Sequence, residues 1–152
     1  MSSPTPESIR AWRALMHVHS AVTNAIDEAL RAEVGISGSW YEALVEIALA
    51  GGTMRMNQFA CETTLTKSGA TRFVDRLERA GLVERTTCPT DRRAHQLVLT
   101  ARGKRAQKRC DPHVLRIIHE QFGRHITEPE ARMVYEALSR TRRPMSPPSL
   151  QT

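Results

Sequence analysis

Between Thr66 and Ala80, apolar residues stand at Ala70, Phe73, Val74 and Leu77, the i, i+3, i+4, i+7 spacing that lines one face of an α-helix. The other face is then polar and free, and carries Lys67, Ser68, Thr71, Arg72, Asp75 and Arg76. Thr66 is placed to cap the first turn with its hydroxyl, and Gly81 to end the helix in the left-handed region. After Gly81 the pattern changes. Leu82–Thr87 and His95–Thr100 are short β-prone runs, which predicts a hairpin whose connection is the seven residues Cys88–Ala94. Pro89 and Asp91 in that connection are turn formers, and Arg92 and Arg93 at its tip are of no use to a core. Upstream, Asn57 is read as the cap of a short helix running to Glu62. Helix, turn, helix, hairpin is a winged helix-turn-helix, placed at residues 36–100.

The flanks read as a helical scaffold at residues 8–32 and 101–142, and the whole chain as one domain over 1–152. Ser8 to Ala32 is a long amphipathic helix with Trp12, Leu15, His19, Val22, Ile26 and Leu30 near one stripe. Ser39 is read as the cap of a second helix, Trp40 to Ala50, stopped by Gly51 and Gly52. Thr100 opens a helix in which Pro112 predicts a kink, because a proline inside a helix loses one hydrogen bond and crowds the preceding turn. Thr127 to Glu130 is a capping box that starts a last helix. The stretch 143–152, rich in proline and serine, is expected to be a mobile tail. The fold class is therefore mostly α with a small β-hairpin wing. The terminal helices carry more apolar surface than the wing domain can cover, which predicts a homodimer.

Composition narrows the function. The chain has 152 residues, 40% of them hydrophobic, and no apolar run long enough to span a bilayer. No signal peptide opens the chain, so no membrane partner and a cytoplasmic location are expected. The net charge of +6 is uneven: residues 54–110 hold 13 Lys and Arg against 5 Asp and Glu. A basic middle on a nearly neutral frame points to double-stranded DNA as the partner, with binding that weakens steeply in salt. On this reading Thr66, Lys67, Ser68, Thr71 and Arg72 meet base edges and nearby phosphates in the major groove, and Arg76 meets phosphate. Arg92 and Arg93 supply the wing contact, with Asp91 orienting one of them. A winged-helix module that binds proteins instead of DNA is the rival, though such a module has little use for two arginines at a loop tip. No catalytic arrangement appears at usable spacing, so the chain is not read as an enzyme.

The run Thr71-Arg72-Phe73-Val74-Asp75-Arg76-Leu77-Glu78, then Gly81-Leu82-Val83 and Thr90-Asp91-Arg92-Arg93, resembles the MarR family of bacterial transcription regulators, in particular its actinobacterial-like members. The resemblance extends from about Ile9 to Arg142 and is sharp in the central third. It implies a homodimer on a pseudo-palindromic operator, usually a repressor, which lets go when a small aromatic ligand binds or a cysteine is oxidised. Thr63 and Thr64 depart from the family, which more often has apolar residues there. The family's phenolic ligands bind between scaffold and DNA lobe, which implies Trp12, His17, Trp40, His113 and Arg116 as the ligand-binding set. Cys88, at the root of the basic wing beside Arg85, Arg92 and Arg93, is the candidate redox residue, while Cys61 and Cys110 are expected to pack as small hydrophobes. Cys110, His113, His119 and His125 lack the strong metal spacings, so neither a metal nor a cofactor is expected.

Overall fold

The computed structural model describes residues 3–63, 65–88 and 91–141; of Lys67, Asp91, Arg92 and Arg93 it describes the backbone alone. The elements run α1 (Pro6–Glu33), α2 (Gly38–Leu49), β1 (Thr53–Arg55), α3 (Met56–Glu62), α4 (Lys67–Arg79), β2 (Val83–Cys88), β3 (Asp91–Leu99), α5 (Ala101–Gln121), a 3-10 turn (Gly123–His125) and α6 (Glu128–Ser139). The tail expected at 143–152 lies outside the described residues, as do Thr64, Pro89 and Thr90.

Every α-helix except α3 starts where the side chain of its cap residue satisfies a free amide, though not always the side chain expected. The Thr66 hydroxyl accepts from the Gly69 amide at 3.1 Å, and Thr127 and Glu130 form the expected capping box. α2 starts earlier than expected, because the Ser37 hydroxyl, not that of Ser39, accepts from Trp40 N at 3.2 Å. Asp27 reinforces that start by accepting from Gly38 N at 2.8 Å. Asn57 is not the cap of α3: Arg55 holds that place, and the Asn57 carboxamide instead accepts from the adjacent Gln58 amide. Pro112 does not break α5, which runs through it unbroken. Pro112 lies on the exposed side of the helix.

The sheet has three strands rather than two. β1, too short to carry a periodicity of its own, pairs antiparallel with β3 (Thr53 opposite Val98), giving the order β1-β3-β2. β3 starts at Asp91, four residues earlier than its apolar pattern does, because pairing with β2 supplies the hydrogen bonds that side-chain alternation cannot reveal. The expected seven-residue connection is therefore a correction: Arg92 and Arg93 lie on the strand. The ladder steps from Thr87–His95 to Cys88–Asp91, so residues 92–94 form an irregularity next to the wing's end.

One core joins α2, α3, α4 and the sheet through Ala43, Leu44, Ile47, Phe59, Val74, Leu77 and Leu97. Ala106 of α5 belongs to it as well, and Gly103 lies so close to the Leu82 carbonyl oxygen that no Cβ fits there. The first turns of α5 are thus part of the winged-helix core. A second cluster, Leu30 with Cys110 and Val114, joins α1 to the middle of α5. Of the stripe expected to be buried on α1, Leu30 alone is fully enclosed; Trp12 is 59% exposed. α6 likewise presents Met133, Tyr135 and Leu138 to solvent. No described helix is long and apolar enough to cross a membrane.

Candidate nucleic-acid interface

The buried line Ala70, Val74 and Leu77 holds α4 against the lobe and fixes which side chains stand out. Ser68, Thr71, Arg72, Arg76 and Arg79 are all exposed. Arg79 was not among the expected contacts, yet it extends the line of Arg72 and Arg76 by another turn at i+7. Its Nε donates to the Asp75 carbonyl oxygen at 3.2 Å, which keeps the side chain along the helix. Arg76 lies over the Phe73 ring, its guanidinium carbon 5.7 Å from the centroid, and Phe73 in turn stacks on Phe59 of α3 at 6.1 Å. An open groove of about 490 Å³ runs along this side, lined by Leu65, Gly69, Arg72, Phe73, Asp75, Arg76 and Arg79.

Asp75 does not stand free on the outer face as the helical pattern suggested. It faces the wing, where Arg85 of β2 donates from Nη1 to Asp75 Oδ1 at 2.6 Å and to Glu78 Oε2 at 2.9 Å. The Arg85 amide donates to Glu78 Oε1 at 3.0 Å, and its Nη2 to the Thr71 carbonyl oxygen at 3.0 Å. One guanidinium therefore ties the wing strand to three residues of α4 and neutralises carboxylates that would otherwise repel phosphate. Nothing in the periodicity marks Arg85, since the contact joins two elements whose relative placement a sequence pattern does not specify. Thr66 is both the N-cap and the residue at the exposed helix start. The Lys67, Asp91, Arg92 and Arg93 side chains lie outside the described ones, so the expected Asp91–arginine contact does too.

The expected ligand set does not come together. His113 and Arg116 meet on Glu33 of α1, at 2.8 Å from His113 Nδ1 and 3.7 Å from Arg116 Nη2. Trp40 packs against the lobe core, whereas Trp12 and His17 sit exposed nearer the start of α1. On a continuous helix, His17 and Glu33 are about 24 Å apart at 1.5 Å per residue, too far for one small ligand. The cysteine expectations are partly reversed. Cys88 is buried, 4% exposed, so the redox reading loses the access that an oxidant needs; Cys61, expected to be packed, is exposed. Cys110 is buried as expected, and burial pushes its thiol pKa up.

Residues 34–94, covering α2 to the wing, match the MarR family. The whole fold is also shared: AbsC, a MarR family regulator from Streptomyces coelicolor, superposes with a TM-score of 0.80 at 27% identity, over 93% of this chain and 95% of that one. The stretch from α2 to the wing is thus MarR-like, and the fold is shared with MarR family regulators. Members of this family are DNA-binding transcription regulators and not enzymes. Sco3205 of the same organism, a family member solved in complex with DNA, has a TM-score of 0.79 at 24% identity over 93% of this chain and 89% of its own. The transcriptional repressor MprA of Escherichia coli (strain K12) is 29% identical over 98 residues, which are 64% of this chain and 55% of MprA. The chain thus matches about half the length of that curated relative. The MarR core includes the Arg85 tie, whereas α1, α5 and α6 fall outside the matched residues.

Proposed function

We propose that this chain is a cytoplasmic, homodimeric repressor of the MarR family that binds a pseudo-palindromic DNA operator and is released by a small aromatic ligand. The observation that carries the DNA reading is the exposed polar face of α4, with Ser68, Thr71, Arg72, Arg76 and Arg79, held beside a wing strand by Arg85. Short hydroxyls and arginines on one helix face suit hydrogen-bonding base edges and phosphates in a major groove. Thr66, Lys67, Ser68, Thr71 and Arg72 are assigned to the groove, Arg76 to phosphate, and Arg92 and Arg93 with Asp91 to the wing contact. The dimer reading rests on the exposed Trp12 of α1, Leu115 and Ile118 of α5, and Met133, Tyr135 and Leu138 of α6. Apolar groups in that number favour burial against a second copy, and a two-fold axis sets two recognition helices about one duplex turn, roughly 34 Å, apart. Repression is the role of the MprA relative, and it is the role proposed here. The His113–Glu33–Arg116 cluster, where scaffold helix α1 meets α5, is the part of the expected ligand set that remains together.

Selection of bound duplexes from a random pool by the purified chain tests this reading. A two-fold symmetric motif with half-sites about ten base pairs apart is expected. Arg72→Ala should relax discrimination by about 1 to 3 kcal/mol at one base pair, whereas Arg93→Ala should weaken all sequences alike and lower the salt slope by about one unit. No enriched motif, together with a monomer in solution, would overturn the proposal.

A further inference from the structure

The start of α5 carries charges that work against its own stability. Between Ala101 and Cys110 stand Arg102, Lys104, Arg105, Lys108 and Arg109, with no acidic residue among them. All five are exposed, and the ion pairs of α5 among the described residues begin only at His113 and Arg116. Cations near a helix N-terminus oppose the helix dipole, and the first turn holds no acid to offset them. Lys104 with Lys108, and Arg105 with Arg109, are like charges at i, i+4, a spacing at which like charges destabilise a helix. α4 shares this pattern, with exposed Arg72 and Arg76 at i, i+4 and no acid in its first turn, whereas the scaffold surfaces elsewhere show opposite charges at that spacing. Asp27–Arg31 on α1, Arg116–Glu120 farther along α5 and Glu128–Arg132 on α6 are opposite charges at that spacing, and α6 opens with Glu128 and Glu130. A purely solvated surface gains nothing from such a run of like charges, whereas a bound polyanion converts the repulsion into attraction.

The position of the patch narrows what that polyanion is. Its helix end is already satisfied, since the Thr100 hydroxyl accepts from Gly103 N at 2.9 Å, so the side chains supply the charge. Gly103 against Leu82, and Ala106 in the lobe core, make this part of α5 move with the recognition helix. Arg102 passes Gly81 just after α4, its Cδ 3.7 Å from where a Cβ would be, so the basic face ending at Arg79 runs on into α5. β3, spanning Asp91–Leu99, separates the patch from the wing's end by roughly 30 Å at about 3.3 Å per residue.

We propose that Arg102, Lys104, Arg105, Lys108 and Arg109 bind the phosphodiester backbone of the same duplex, beyond α4 on the side away from the wing. The inference rests on the DNA reading above. It gives each lobe two phosphate grips, the wing on the outer flank and α5 toward the operator centre, with the base-reading helix between them.

The test uses the full-length chain and the Lys104→Gln/Arg105→Gln/Lys108→Gln variant, titrated over a salt series against a selected duplex and a duplex of arbitrary sequence. The slope of log affinity against log salt should fall by about two to three units on both duplexes, at about 0.9 per phosphate contact. The melting temperature should rise as the like-charge repulsion is relieved. Methylphosphonates at the centre of the selected site should weaken the parent chain and leave the variant unaffected. An unchanged slope with a raised melting temperature overturns the proposal, and so does sensitivity confined to the outer flanks. If the triple variant does not fold, Arg105→Gln alone should lower the slope by about one unit. Arg72→Ala separates this inference from its premise: lost discrimination there with a normal slope for the α5 variant sinks the α5 grip alone, whereas a parent chain that binds neither duplex sinks both.

Discussion

Arg85 on the wing strand places Nη1 2.6 Å from Asp75 Oδ1 and Nη2 3.0 Å from the Thr71 carbonyl oxygen, so the wing and the recognition helix share one guanidinium. A winged helix needs those two elements at a fixed angle, because helix and wing must meet the duplex together. Arg85→Ala is expected to cost about 1 to 2 kcal/mol of stability, the range for charge-assisted hydrogen bonds at a half-exposed site. It should also lower operator affinity about tenfold, about 1.4 kcal/mol, through loss of positioning. Arg85→Lys should not restore either, since an ammonium cannot reach Asp75, Glu78 and the Thr71 carbonyl at once. Urea unfolding with parallel anisotropy titration reads both effects; full rescue by lysine would show that charge alone matters.

Gly103 is required by space. A Cβ there would overlap the Leu82 carbonyl oxygen and sit 2.8 Å from Leu99 Cδ1, and neither the strand start nor the core residue can withdraw. Gly103→Ala is expected to lose about 3 kcal/mol, at the upper end for overpacking a close contact. Gly81→Ala, at φ +68° but with its nearest neighbour the flexible Arg102 chain, should lose about 1 to 2 kcal/mol. Thermal unfolding of the two variants should preserve that order.

Alkaline pH should loosen the joint between the lobe and α5. The Tyr41 hydroxyl donates to Asp111 Oδ1 at 2.9 Å, and burial and then that bond hold its pKa well above the ordinary 10.0. Burial raises the Cys110 thiol above 9.0 in the same way. Both groups have raised pKa values in the folded state, so their contribution to stability is complete below pH 9.0 and is lost as pH rises past 9.0 and then 10.0, where the unfolded chain ionises first. Stability measured from pH 8 to 11 should therefore decline, and Tyr41→Phe should flatten the upper part of the curve. A curve identical to that of the parent would show that Tyr41 ionises freely.

Thiol reactivity should separate the three cysteines. Cys61 is exposed, whereas Cys88 and Cys110 are buried, so a thiol reagent should label one cysteine promptly in the native protein and the other two only on unfolding. Prompt labelling of Cys88 in a Cys61→Ser variant would restore the case for a redox-sensitive wing.

Much of this protein was decided locally and can be read along the chain. The caps at Thr66 and Thr127, the stop at Gly81, the buried line of α4 and the basic middle all depend on neighbours within a turn or two, where spacing and side-chain chemistry suffice. The tertiary structure alone decided that Asp75 turns to Arg85 rather than to DNA, that Arg92 and Arg93 lie on a strand, that Cys88 is enclosed, and that His113 and Arg116 share Glu33 while Trp12 and His17 do not join them. Each of these depends on which distant element packs alongside. The ladder between β2 and β3, and the tilt of α5 over Leu82, are set by long-range contacts that a hydrophobic period does not encode.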